Sequence, residues 1–267
     1  MGELRPAHSA AQINQEMSKL ASRSQKLGAE LYQLYGNYLT SLAQAIRHQG
    51  IQACYCMCTN CYPTEFLALA PSHQQKLQRS LRRAITNSII DLLNQLQPIE
   101  QVDDPNQLLA WQDTLEEGIA HTLPSLSKKM NYLLQQARVI AKQVPRQILE
   151  AAAKVEATGE SSVNRPHILR VLVEQDAPDA LDATVVVPVY VIFLQLVDME
   201  FADRQVMHLR QQMHTLESQL ATLHHSYQRQ LQKLQVGAAE ASWHHSWFGS
   251  TEPEPNVSPD LSTESTD

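Results

Sequence analysis

The strongest constraint in the sequence is a heptad pattern in its last third. From Met199 to Tyr227 the apolar residues recur at alternating steps of three and four. This spacing places one continuous apolar seam along an α-helix, and such a seam must be buried against another helix. The sequence therefore predicts a long coiled-coil-like helix over about residues 185 to 240. Its seam consists of Met199, Ala202, Val206, Leu209, Met213, Leu216, Leu220, Leu223 and Tyr227.

A second heptad pattern lies near the beginning of the chain. Its apolar positions are Ile13, Met17, Leu20, Leu27, Leu31, Leu34, Tyr38 and Leu42, and Ser24 is the polar exception. The pattern predicts a helix from about residue 10 to about Cys61, where Tyr62-Pro63 ends it. The two seams can pair within one chain, or either can pair with its copy in a homodimer, and the pattern leaves both arrangements open.

The middle of the chain also carries helix signals. A long helix is expected from Pro71 to before Pro98, a second from Asp104-Pro105 to about His121, and a third from Pro124. The alanine-rich stretch RQILEAAAKVEA continues this pattern to Gly159, and NRPHILRVLVE predicts a further short helix.

One apolar run, VVVPVYVIFLQLV at residues 185 to 197, admits more than one structure. Only 15 residues separate Asp182 from Asp198, fewer than the roughly 20 that a membrane-spanning helix needs. Its β-branched residues favour a strand, yet a single strand without a neighbour leaves its backbone unsatisfied. The run is therefore predicted to be the buried start of the final helix.

Together these patterns predict an all-α protein: an antiparallel helical bundle with two long heptad helices. The predicted parts are the first heptad helix (1–61), a helical domain (62–182), the final helix (183–248) and a tail (249–267). The tail holds five acidic residues, three prolines and no basic residue, a composition typical of disorder.

Composition argues against several classes of function. The net charge of -7 and the pI near 5.9 do not suit a protein whose main partner is the nucleic-acid backbone. The chain has 8 Gly and contains neither G-x-G-x-x-G nor G-x-x-x-x-G-K-[ST], the glycine-rich motifs that bind dinucleotides and phosphates. The sequence also shows no recognisable pair of catalytic nucleophile and base. A non-enzymatic protein without a cofactor is expected. The first residues lack the apolar core of a signal peptide, which favours the cytoplasm.

All four cysteines lie in the stretch ACYCMCTNCY. On a helix, Cys54, Cys58 and Cys61 fall within about 60° of one another, whereas Cys56 points to the opposite side. Cys54 and Cys61 would be about 10 Å apart along the axis, too far for tetrahedral zinc unless the helix unwinds. Free, packed thiols are expected, and a metal site on Cys54, Cys58 and Cys61 or a redox pair are the alternatives.

Basic residues line one face of the second long helix: Lys76, Arg79 and Arg83, with Arg82 nearby. Such a face is commonly solvated, but it could also hold an acidic partner, nucleic acid or the acidic tail of this protein. A regulatory nucleic-acid-binding protein is therefore one alternative function, and a metal- or redox-responsive protein that uses the cysteines is another.

The last candidate feature is AAEASWHHSWF, residues 238 to 248. Trp243 and Trp247 are four residues apart, with Phe248 beside them, immediately before the tail. Large apolar rings either fold back onto the core of the protein or dock into a partner. The sequence therefore predicts a protein–protein adaptor or scaffold whose final helix carries an aromatic docking motif, with a partner that remains to be identified.

Three stretches, PRQILEAAAKVEATGE, VDMEFADRQVMHLRQQ and ASWHHSWF, resemble a group of all-helical proteins of unknown function from cyanobacteria. The resemblance covers mainly the second half of the chain. It implies a helical, cytoplasmic protein, and it implies no activity and no site residues.

Overall fold

The computed structural model describes residues 10–99, 103–141, 167–176 and 184–248. The protein is mostly helical in these residues, as predicted, but it also contains a two-stranded sheet. The helices are α1 (Ala10–Cys56), α2 (Pro63–Leu67), α3 (Pro71–Leu93), α4 (Pro105–Gln136), α5 (Leu196–Ala202) and α6 (Arg204–Phe248). A π-helical segment, Met57–Cys61, continues α1.

Helices α1 and α6 pack against each other along their apolar seams in opposite directions. Tyr38 of α1 bonds Glu200, just before α6, whereas Leu20 lines a groove together with Ser226, far along α6. The two seams therefore meet within one chain. On α6, Val206, Leu209, Met213, Leu220 and Leu223 are buried, and Leu216 and Tyr227 are half-buried.

Helix α3 packs on α1, and α4 packs on α3 while also contacting α1 and α6. Helix α3 runs antiparallel to α1, since Gly36 faces Leu96 and Gly50 faces Ile85. A Cβ atom added at Gly50 would lie 3.2 Å from the Ile85 side chain. A glycine at position 50 thus permits the close approach of the two helices.

Helix α4 passes through Pro124 without ending. The two separate helices predicted on either side of this proline are therefore one element, and that prediction is wrong. Proline in a helix interior removes one backbone hydrogen bond and costs about 3 kcal/mol. Buried residues on both sides of it, including Leu123 and Leu126, pack the two halves into the same core and offset that cost.

The sheet is the main departure from the predicted all-α fold. Strands β1 (Ile168–Asp176) and β2 (Thr184–Ile192) form an antiparallel pair with Ile168 opposite Ile192 and Asp176 opposite Thr184. The short helix predicted for NRPHILRVLVE is therefore wrong, as is the helical start predicted for the valine-rich run. The prediction rejected a strand because a single strand leaves its backbone unsatisfied, but β1 and β2 pair with each other and satisfy it.

Side chains from the helical body hold the outer edge of β2. The Asn131 amide accepts the Ile192 N–H and donates to the Ile192 carbonyl, both at 2.8 Å. The Tyr62 hydroxyl bonds both backbone groups of Tyr190 in the same way. The backbone N–H and carbonyl groups of residues 190 and 192 thus point away from β1. The alternation of an antiparallel pair gives Pro188 the same orientation, so its missing N–H removes no hydrogen bond between the strands.

The final long helix begins later than predicted. Asp203 has an extended backbone that separates α5 from α6, and its carboxylate accepts the Gln205 N–H at 2.8 Å as a cap. Among the described helices, none combines the length and apolar character that a membrane span needs. The segment RQILEAAAKVEA and the tail, 249–267, lie outside the described residues.

Candidate functional site

Two exposed tryptophan rings form a stacked pair near the end of α6. Trp243 is 61% exposed and Trp247 is 66% exposed, although both are large and apolar. Their rings stack with centroids 5.1 Å apart and planes 13° from parallel. The four-residue spacing on α6 produces this arrangement, because residues i and i+4 lie one above the other on a helix.

The segment of α6 that carries these rings is exposed along its length. Every residue from Gln235 to Trp247 is exposed, and a side chain at Gly237 would meet no atom within 4 Å. Val236, half-exposed, extends the apolar stripe towards the helical body. Phe248 is the last residue of α6, and its side chain lies outside the described part of the structure. The tryptophans therefore do not fold back onto the described core.

The basic face lies at the opposite end of the helical body. Lys76, Arg79 and Arg83 are exposed on α3, and none forms an ion pair with another described residue. Lys76 also lines a cavity of about 690 Å³ between α3 and the end of α4. The cavity is lined by Glu65, Ala68, Leu69, His73, Lys76, Leu77, Ser80, Leu133, Gln136, Ala137 and Arg138.

Arg138, at the rim of this cavity, has an unusual backbone conformation. Its φ is 66°, the left-handed region that favours glycine. The conformation ends α4, because the N–H groups of Arg138 and Val139 turn back to the carbonyls of Gln135 and Leu134, each at 3.0 Å. Arginine occupies a position where glycine would cause less strain, and it lines the same cavity as Lys76.

The cysteine segment is packed against the core. Cys56 and Cys58 are buried, Cys54 and Cys61 are half-buried, and no disulfide joins them. Burial raises the pKa of the Cys54 thiol to about 12, with a smaller contribution from Cys58, and burial raises the pKa of the Cys58 thiol to about 11. No group of three or more metal-ligating side chains converges among the described residues. The Cys54 and Cys58 thiols are thus poor nucleophiles at neutral pH.

We expect the native protein to react slowly with a thiol reagent at neutral pH and the denatured protein to react rapidly at all four cysteines. Burial and the raised pKa values of Cys54 and Cys58 both reduce the reactive thiolate fraction. A colorimetric thiol assay with and without denaturant measures this difference. About one zinc ion per chain, lost together with the fold on chelation, would instead establish a metal site.

A charged network inside the helical body was not foreseen from the sequence. Arg210 of α6 forms a bidentate ion pair with Glu116 of α4 at 2.6 and 3.0 Å, and lies 3.5 Å from Glu200 of α5. Tyr35 and Tyr38 of α1 donate to these two carboxylates. The residues of this network are distant in sequence, so no local spacing predicts it. Because their polar groups are paired with one another, the network stabilises the packing of four helices.

His167, at the start of β1, is the one buried histidine among the described residues. Its side chain is 3% exposed, Nε2 lies 3.0 Å from the Gln49 amide oxygen, and Nδ1 has no hydrogen-bond partner. The Asp198 carboxylate is 4.0 Å from Nδ1. Burial lowers the pKa of His167 below its ordinary value of 6.5, and the charge of Asp198 opposes this shift.

The protein is expected to lose stability as the pH falls below about 6.5. In this range His167 of the unfolded chain binds a proton, whereas the lowered pKa keeps the same ring neutral in the folded chain. His167→Gln should flatten this part of the pH profile. Asp198→Asn should steepen it, because it removes the charge that favours the imidazolium. Denaturant melts between pH 5 and 8 test both, and an unchanged slope in His167→Gln would contradict this origin of the acid sensitivity.

Comparison of the sequence with protein-family models and with curated proteins, and of the fold with solved structures, finds no significant match. The resemblance to helical cyanobacterial proteins is therefore still a prediction, and the function of this chain rests on its surfaces.

Proposed function

We propose that this protein is a non-enzymatic, cytoplasmic adaptor that binds a partner protein through the aromatic end of α6. The observation that carries this proposal is the stacked, exposed pair of Trp243 and Trp247. The partner supplies an apolar groove that receives this stripe, in the manner of an amphipathic helix docking into a cleft.

The energetics of the exposed pair support this role. A tryptophan buried in the centre of an interface often contributes about 2 kcal/mol or more to binding. Because the two rings are already stacked on one helix, little side-chain freedom is lost when they dock. The antiparallel packing of α1 and α6 forms a coiled-coil-like body, and α6 extends beyond it to present the rings. This arrangement supports a scaffold function for the protein rather than a catalytic one.

Replacing both Trp243 and Trp247 by alanine tests the proposal. We expect the free energy of unfolding to change by about 0.5 kcal/mol or less, because both rings are exposed in the isolated protein. Recovery of the partner by affinity purification from the native cell should fall by about tenfold or more, since two hot-spot rings are lost. A photo-crosslinking residue at position 236, which leaves both rings in place, should capture the same partner.

Trp111 provides the matched control. Its indole N–H donates to the Gln97 carbonyl at 3.2 Å, and its ring meets that of Tyr35 edge to face. Trp111→Ala should therefore lower stability while the folded fraction still binds the partner. A fall in the melting temperature of the Trp243/Trp247 double variant with full partner recovery would show that the rings serve the fold instead.

A further inference from the structure

We propose that the cavity between α3 and the end of α4 binds the acidic tail, residues 249–267, of a second copy of this protein. The association is head to tail: the basic end of one copy holds the tail that follows the aromatic end of the next. It uses a different surface from the tryptophan pair and does not depend on the adaptor function.

Charge complementarity identifies the occupant. The cavity and the face beside it carry Lys76, Arg79, Arg83 and Arg138, and Glu65 is the one carboxylate that lines the cavity among the described residues. The tail carries five acidic residues and no basic residue, although the chain as a whole is already negative. Clustered arginines and lysines are a recurring way to bind acidic peptide segments.

Apolar residues strengthen the match. Leu69, Leu77 and Leu133 line the cavity below its charged rim. The tail contains Val257 and Leu261 among its carboxylates. A peptide with this pattern places apolar side chains on the floor while its carboxylates meet the rim.

Arg138 brings a further cation to the cavity at a backbone position where glycine is the usual residue. A residue other than glycine at a φ of 66° costs free energy that a glycine would avoid. Such strain is concentrated where a side chain has a task. Arg138 lines the cavity together with Lys76, so its cation is available to a bound carboxylate.

Distance excludes the tail of the same copy. Lys233 lies close enough to Glu16 to affect its pKa, so the end of α6 at Phe248 lies about 22 Å beyond Glu16. Between Glu16 and Gly50, α1 rises about 51 Å. Ile85 of α3 lies opposite Gly50, and from Ile85 to Arg79 α3 extends about 9 Å further in the same direction. The total of about 80 Å exceeds the 65 Å or so that residues 249–267 span at full extension.

The full-length protein at low ionic strength provides the test, with sedimentation velocity over a series of protein concentrations. We expect concentration-dependent association that high salt abolishes, because exposed charges are screened beyond about 10 Å at 0.1 M salt. Two variants should weaken it by about tenfold or more. One reverses the face (Lys76→Glu, Arg79→Glu, Arg83→Glu), and the other neutralises the tail (Glu252→Gln, Glu254→Gln, Asp260→Asn, Glu264→Gln, Asp267→Asn).

A mixture of these two variants is the decisive experiment. Each alone lacks one half of the contact, but together they retain one intact face and one intact tail. A mixture in equal amounts should therefore form a one-to-one dimer and nothing larger, because each dimer leaves only defective ends. A mixture that remains monomeric overturns the proposal, as does a wild-type protein that does not associate at all.

Two controls separate this contact from other effects. Reversal of three exposed cations on α1 (Arg23→Glu, Lys26→Glu, Arg47→Glu) changes the net charge equally and should leave association intact; an equal loss would overturn the proposal. The Trp243→Ala/Trp247→Ala variant should also associate normally, so the adaptor function and this contact fail separately. Arg138→Gly should weaken association while the melting temperature stays equal or rises, whereas a lower melting temperature with unchanged association would contradict a binding role for Arg138.

Discussion

Replacing both Leu216 and Leu220 by lysine is expected to unfold the helical body. Leu220 is 0% exposed in the contact between α6 and α1, and Leu216 is half-buried beside it. Loss of a buried leucine typically costs about 2 to 5 kcal/mol, and an unpaired buried charge adds several kcal/mol. The sum is comparable to the roughly 5 to 15 kcal/mol that stabilises a whole domain.

Circular dichroism and light scattering measure this outcome. Leu220→Ala should give a folded protein that is about 2 to 5 kcal/mol less stable. The control, Gln211→Lys, places the same charge on the exposed face of α6 and should change stability by about 0.5 kcal/mol or less. If the double lysine variant has the helicity and mass of the wild type, α1 and α6 do not depend on this seam.

The long helices could be predicted because the signal for them is local. Residues at three- and four-residue steps share one side of a helix, whatever partner finally covers them. Ser24 illustrates the strength of this geometry. It is polar and interrupts the apolar pattern of α1, yet it is fully buried at 0% exposure, and its hydroxyl has no hydrogen-bond partner. Position along the seam decides its burial more than its polarity does.

The hairpin could not be predicted from the same kind of signal. The run before Asp198 reads as a strand only if another strand is known to pair with it, and that information lies outside the run. The partner, Ile168–Asp176, is itself rich in branched apolar residues, but its sequence also fits a short helix. The edge that Asn131 holds could not be foreseen either, because asparagine is 61 residues away from Ile192.

The candidate surfaces at the two ends of the molecule also differ in how far the sequence predicts them. The exposed tryptophan pair follows from spacing on a single helix, so the sequence alone places Trp243 beside Trp247. The cavity beside Lys76 forms where α3 meets the end of α4, and Arg138 lies in the left-handed turn that ends α4. No motif in the sequence marks that residue.

Asn131→Leu is expected to lower the free energy of unfolding by about 2 to 6 kcal/mol, because it leaves two buried backbone groups unpaired at about 1 to 3 kcal/mol each. Asn131 is 1% exposed, and it bonds both the N–H and the carbonyl of Ile192. Leucine has a similar size, so the lost hydrogen bonds dominate over any cavity. Chemical denaturation measures the total, and hydrogen exchange at the Ile192 amide reports the local effect.

Tyr62→Phe is the matched comparison on the same edge of β2. It removes one hydroxyl that bonds the backbone of Tyr190, at a half-buried position that water can partly reach. Its expected cost is about 1 kcal/mol, smaller than that of Asn131→Leu. Exchange at the Ile192 amide should accelerate in Asn131→Leu and stay slow in Tyr62→Phe. If the two variants lose equal stability and the Ile192 amide remains protected in both, Asn131 is not what ties the hairpin to α4. The burial of strand residues such as Val189 and Val191 would then hold the sheet in place instead.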